Sequence, residues 1–251
     1  MLAKLLRVAE RTKAVVLRRY EEGGGDVVVR RGDVDVTKAA DAEAEEAALR
    51  ALREEFPEGA LVIAEESGEV RWGDERHVIY LDPLDGSENF FAGIPLFAVA
   101  LAGGRYKSGD LADLEVAVIA LPKTDEVFTA SAEGVFLNGS PLPITDGSSV
   151  ALVELGRDYP QIQLEIPRVL GLKARSLGCA TYSALLAALG RVALFLDLRY
   201  RLGVWDVAPA LVFGRHNKKF KAYVRTKGLR VSVVAGESSL ADIAAARAGL
   251  A

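Results

Sequence analysis

The stretch Tyr80-Leu81-Asp82-Pro83-Leu84-Asp85-Gly86-Ser87-Glu88-Asn89-Phe90 sets two carboxylates three residues apart across a proline, with a glycine, a hydroxyl and an amide close behind. It follows the apolar run His77 to Leu81, so it reads as a strand entering a tight polar turn. Pro83 fixes its own φ and biases Asp82 toward extended backbone, while Gly86 can take angles closed to other residues. Asp82 and Asp85 can therefore converge on one point. With the Leu84 carbonyl between them they suit a hard, oxygen-loving cation such as Mg²⁺, and the amides of Gly86 and Ser87 can face a phosphate. A lone D-x-x-D-G is more often an acidic surface turn, so the rest of the chain has to decide.

The chain has 251 residues, enough for a full core as one large domain or two joined halves. A net charge of -4 gives no reason to expect nucleic acid and fits a site that collects cations. No apolar run approaches the ~20 residues that span a membrane. Met1 to Tyr20 has the apolar spacing of an amphipathic helix and is too interrupted by charge for a signal peptide, so the cytoplasm is the expected location. The single Cys179 excludes an intrachain disulfide framework and a cysteine metal cluster; it is expected at a strand-to-helix junction in a structural role.

Glu21 to Asp35, with Gly23-Gly24-Gly25, is expected to be a mobile hairpin, and Thr37 to open a helix that runs to about Phe56 and carries Asp41 early. The apolar run Leu61 to Ala64 ends in Glu65-Glu66-Ser67-Gly68, and Val78 to Leu81 ends in the central motif, so two strands deliver carboxylates at their C-terminal ends. From Phe97 to Leu137 the pattern is that of an antiparallel sheet. Polar residues 144–149 mark the expected boundary between an N-terminal half, 1–147, and a C-terminal half, 148–251. The second half alternates strands and helices, with a strand over Val192 to Leu198 followed by Arg199-Tyr200-Arg201 and a helix beginning at Asp206. Taken alone, Asp206 reads as an N-cap.

EES at Glu65, DPLDGS at Asp82 and WDVAPA at Trp205 resemble, in order, the three signatures of the Mg²⁺-dependent, lithium-sensitive phosphomonoesterase superfamily of inositol monophosphatases and fructose-1,6-bisphosphatases. The resemblance runs nearly end to end. It includes Thr37 and Asp41 in T-x-x-x-D, Leu137 to Gly139, the G-I-P-L-F after the central motif and Arg175 to Gly178. It implies an α+β, layered αβαβα fold with a large mainly antiparallel sheet and a smaller mixed sheet, usually as a homodimer. It also implies that Glu65, Asp82, the Leu84 carbonyl, Asp85 and Asp206 ligate two or three Mg²⁺ ions, with Mn²⁺ as a substitute, and that Glu66 supports Glu65.

In the same resemblance Ser87, where most relatives carry threonine, and Asp41 orient and deprotonate the attacking water, and Gly86 and Ser87 contact the phosphate. Asp35 resembles a loop aspartate that completes a third metal site in archaeal members. Inositol-specific relatives carry a glutamate seven residues before the last metal aspartate; here that position is Arg199, in a D-x-R pattern that resembles the archaeal dual-activity enzymes. A guanidinium prefers an anion, so Arg199, helped by Arg201, is expected to hold the distal phosphate of a sugar bisphosphate unless it pairs with Asp197 instead. The resemblance thus implies a phosphomonoesterase for fructose-1,6-bisphosphate or inositol monophosphates. A 3'-phosphoadenosine-5'-phosphate phosphatase and an inactive metal-binding regulatory protein stay open as alternatives.

Overall fold

The computed structural model describes residues 1–24, 34–108 and 111–251, with the side chains of residues 34–38 outside the description. Five layers alternate. The first is α1 (Leu2–Arg19) and α2 (Val34–Glu55), whose apolar stripes pack on one face of an eight-stranded sheet. That sheet holds β1 (Gly59–Ala64), β2 (Gly68–Gly73), β3 (His77–Asp85), β4 (Ala98–Arg105), β5 (Leu114–Leu121), β6 (Glu126–Ser131), β7 (Gly134–Leu137) and β8 (Ser140–Pro141). Its order is β2-β1-β3-β4-β5-β6-β7-β8, antiparallel throughout except for the parallel pair β1 and β3.

A second sheet follows after residues 142–149. It contains β9 (Val150–Val153), β10 (Lys173–Arg175), β11 (Leu194–Gly203), β12 (Phe220–Lys227) and β13 (Arg230–Glu237) in the order β10-β9-β11-β13-β12, with mixed strand directions. Between the sheets lie α5 (Ala180–Ala188) and α6 (Val204–Gly214), both apolar on nearly every side because each faces a sheet on two flanks. Helices α4 (Ile162–Val169) and α7 (Ser238–Ala248) cover the outer face of the second sheet. The αβαβα layering with one large mainly antiparallel sheet and one smaller mixed sheet is the expected fold. No helix among the described residues is long and apolar enough to cross a membrane.

Several boundaries differ from the sequence expectation for identifiable reasons. Helix α2 begins at Val34, three residues before Thr37, so Asp35 falls in its first turn with its side chain outside the description. The expected hairpin over Glu21 to Asp35 lies mostly outside the described residues, and its first part, Tyr20–Gly24, continues α1 as a wider helical turn. Strand β2 was invisible as an apolar run because it is an edge strand with one face in solvent. Strand β3 continues past Leu81 to Asp85 through a bulge, and β11 continues past Leu198 to Gly203 through another, where Tyr200 takes a φ of 55°. Helix α6 starts at Val204, which puts Asp206 in the third helical position; it is not the N-cap.

Candidate metal centre

The parallel pair β1 and β3 ends level: Ala64 is paired with Leu81, so Glu65 and Asp82 leave the sheet side by side. The β3 bulge then turns the chain. Asp82 pairs with Ala100 and Asp85 with Ala98, leaving one extra residue on β3, and Pro83, which has no N–H to lose, sits inside that irregularity. The Asp82 carboxylate accepts from the Leu84 amide at 3.0 Å, closing a small turn that holds the side chain in place. Gly86 follows with a φ of 84°, and a Cβ there would lie 3.0 Å from the Gly178 carbonyl oxygen and 3.1 Å from that of Leu96. Only glycine fits this crossing.

Asp206 arrives from the second half of the chain. Its carboxylate accepts from the Gly203 amide at 2.7 Å, one half of a capping interaction that fixes it over the start of α6. The carboxylates of Asp82, Asp85 and Asp206, all buried, have oxygens within 4.8 Å of one another. Burial raises Asp82 and Asp206 well above the usual carboxylate range, the neighbouring carboxylates add to this, and the two share a hydrogen bond. Asp85 is raised less. Its burial is opposed by the Cys179 thiol at 2.9 Å and by the amides of Thr181 at 2.7 Å and Ala180 at 3.1 Å, which form the first turn of α5.

Glu65 lies outside the tightest triad but hydrogen-bonds to Asp82, and burial followed by repulsion from Asp85 and Glu66 pushes its carboxyl up to about 7. Asp41 on α2 is pushed up to about 7 by burial and by Glu65 and Glu66, which places it beside the same carboxylates. Ser87, half-buried, opens the short helix α3 (Ser87–Phe91) directly after Gly86. Glu66 itself is exposed, and its amide donates to Glu45 at 2.8 Å. The structure thus brings Asp41, Glu65, Asp82, Asp85 and Asp206 to one cleft from four separate segments. Asp35 lies outside the described side chains.

Arg199 and Arg201 sit differently from expectation. The Arg199 guanidinium is committed to Asp197, with its Nε 3.1 Å from Oδ1 and 3.0 Å from Oδ2, and the pair is buried, Asp197 being 0% and Arg199 11% exposed. The pairing alternative therefore holds, inside the protein and not at its surface. Arg201 is exposed and shares with Arg157 and Arg199 an open cavity of about 680 Å³.

Three contributors escaped sequence reasoning. Glu45, buried on α2 one turn after Asp41, accepts the Glu66 and Ser67 amides, both at 2.8 Å, and so pins the turn that presents Glu65. Its signal was the four-residue spacing from Asp41 on one helix face. Cys179 is held as a neutral thiol by burial and by Asp85, and its support of that carboxylate had no sequence signal. Neither did Glu154, buried on the loop after β9, hydrogen-bonded to Ser183 at 3.0 Å and pushed up to about 7 by burial and by Asp85.

A crowd of buried, mutually repelling carboxylates with only oxygen donors is a fit for hard divalent cations, which would neutralise it on binding. The inositol monophosphatase family matches residues 2–213 of the sequence. The chain belongs to that family. Members of this metal-dependent phosphatase family at similar distance include the inositol-1-monophosphatase of Rhizobium meliloti, 31% identical over 199 residues, 74% of this chain and 71% of that one. The Nus factor SuhB of Pseudomonas aeruginosa is 31% identical over 223 residues, covering 83% of this chain and 79% of the relative. Among solved structures, the extragenic suppressor protein suhB of Bartonella henselae superposes with a TM-score of 0.78 at 24% identity, covering 98% of both chains. The inositol monophosphatase of Anabaena superposes with a TM-score of 0.77 at 22% identity, covering 100% of this chain and 96% of that one. At such identities these two show the shared fold. The family match stops at residue 213, so the β12–β13 hairpin and α7 lie beyond it.

Proposed function

We propose that the protein is a Mg²⁺-dependent phosphomonoesterase acting on small sugar or inositol phosphates. The observation that carries this reading is the buried triad Asp82, Asp85 and Asp206 with Glu65 and Asp41 beside it, at the end of the parallel pair β1 and β3. Glu65, Asp82, the Leu84 carbonyl, Asp85 and Asp206 are the proposed metal-holding groups, with Asp35 as an outer candidate. When bound, the divalent ions supply neutralisation of the phosphate and acidification of the attacking water.

The chain's own residues do the rest. Burial and the neighbouring Glu65 and Glu66 push Asp41 up to about 7, so near neutral pH its carboxylate form is available and, with the Ser87 hydroxyl, can orient the water and accept its proton. Gly86 and Ser87 line the phosphate position at the start of α3. The first turn of α5 keeps Asp85 aimed by three donors, which limits the reorganisation needed on binding. Arg201 is retained as an outer anion contact, whereas Arg199, already neutralised by Asp197, forms part of the wall.

Phosphate release from fructose-1,6-bisphosphate, inositol 1-phosphate and 3'-phosphoadenosine-5'-phosphate, each with Mg²⁺ and with chelator, tests the reading. Turnover of a sugar or inositol ester that chelator abolishes supports it; turnover of the nucleotide alone assigns the chain to that substrate. Release from none with Mg²⁺ present would sink it.

A further inference from the structure

Glu154 directly follows β9 and is 5% exposed. The other buried acids outside the metal centre, among the described residues, are each met by several donors. Asp197 is met by the Arg199 guanidinium and amide, Asp113 by the amides of Lys107 and Ser108, and Glu45 by those of Glu66 and Ser67. Glu154 is met by one hydroxyl, that of Ser183 on α5. The Arg199 charge reaches it, but that guanidinium is already held by Asp197. Burial, with Asp85 and Asp197 adding to it and Ser183 and Arg199 opposing, pushes the Glu154 carboxyl up to about 7.

The hydroxyl has its own use for its proton. Ser183 Oγ lies 3.0 Å from the Glu154 carboxyl and 2.8 Å from the Cys179 carbonyl oxygen one helical turn back. One proton cannot serve both acceptors, and the shorter contact is the usual bond of a helical serine to the carbonyl four residues before it. The contact with Glu154 then takes its proton from the acid. The Cys179 carbonyl also belongs to the same planar peptide as the Ala180 N–H, which donates to Asp85 at 3.1 Å. Holding that carbonyl along the helix therefore keeps the N–H on Asp85, beside the Thr181 amide at 2.7 Å and the Cys179 thiol at 2.9 Å.

We propose that Glu154 is a positioning residue for the metal centre: as a neutral acid it donates to Ser183 and, through the peptide joining Cys179 to Ala180, holds Asp85 in its metal-binding orientation. This rests on the phosphatase reading in taking Asp85 as a metal ligand. The chain of donors runs one way, from Glu154 through Ser183 and the peptide to Asp85, so each bond polarises the next. A neutral Glu154 also adds no further negative charge beside the crowded acids.

Infrared difference spectra of wild type against Glu154→Gln, recorded at pH 6 with and without Mg²⁺, read the proton directly. Wild type is expected to carry one carboxylic-acid carbonyl band that the variant lacks; a difference confined to ionised-carboxylate bands overturns the proposal. Calorimetry at the same pH reads the consequence. Glu154→Ala and Ser183→Ala should each weaken Mg²⁺ binding about tenfold, and the double variant no more than either alone, because both break one chain. Glu154→Gln should stay within about twofold of wild type, since its amide N–H donates where the acid O–H did. Equal losses in the glutamine and alanine variants, no loss in any of them, or about a hundredfold loss in the double variant would each overturn the proposal. A wild type that shows the acid band and binds no divalent ion refutes the metal reading, whereas one that binds Mg²⁺ and lacks the band refutes the role of Glu154.

Discussion

Glu65 and Asp41 are carboxylic acids that the fold holds near neutrality, and the sign of that shift has a measurable consequence. Both have folded values of about 7 against ordinary values of 4.5 and 3.8. A raised carboxyl stabilises the fold fully below its unfolded value, and that contribution is lost as pH rises through the folded value. Without divalent ions the protein is therefore expected to lose stability between roughly pH 4 and pH 7. Glu65→Gln should flatten this decline, giving a higher melting temperature than wild type at pH 8 in chelator, and should weaken Mg²⁺ binding. Melting curves at several pH values check both; a wild-type melting temperature that rises over the same window would contradict the assignment. Ser87→Ala is expected to lower kcat about a hundredfold while leaving Mg²⁺ affinity unchanged by calorimetry, since the hydroxyl is assigned to the water and not to the metal.

Bulges and helix starts set the side chains that matter. The β3 bulge aims Asp82 and Asp85 into one cleft, and Gly86 lets the chain pass under Gly178. Gly86→Ala should cost about 2 kcal/mol in urea unfolding, from the strained positive φ and from displacement of two backbone carbonyls, with activity lost in parallel. In β11 the bulge instead folds Arg199 back onto Asp197. Asp197→Ala strands a mostly buried guanidinium and is expected to destabilise by about 3 kcal/mol, while an exposed pair such as Arg50 with Glu46 would cost under about 1 kcal/mol. An unfolding midpoint unchanged in Asp197→Ala would show that Arg199 finds another partner. The bulges were not legible in the sequence: a one-residue irregularity in a strand leaves the apolar pattern on either side intact, so β3 read as ending at Leu81 and β11 at Leu198.

For the molecule as a whole, α5 and α6 are sandwiched between the two sheets, and the same pair of helices carries Asp206 and the donors to Asp85. Closing the cleft around a cation should therefore stabilise the entire fold. At a free Mg²⁺ concentration a hundredfold above its dissociation constant, linkage gives about 2.7 kcal/mol, or roughly 5–10 °C in melting temperature for a chain of this size. Scanning calorimetry with and without Mg²⁺ measures it, and Asp206→Asn should abolish the increment.

The individual strands were legible because the apolar runs Leu61 to Ala64, Phe97 to Leu137 and Val192 to Leu198 are local features that a sequence pattern retains, whereas their arrangement in five layers came from the resemblance that the order of motifs carries. Asp82 and Asp85 were legible because proline and glycine at fixed offsets restrict the backbone around them, while Asp41, Glu65 and Asp206 were singled out by the order of the motifs that carries the resemblance. Which cations stand free near those acids depended on contacts between segments far apart in the chain. Arg199 lies seven residues before Asp206 and is spent on Asp197. Charge pairing is settled by distances of a few ångströms, and spacing along the chain does not encode them.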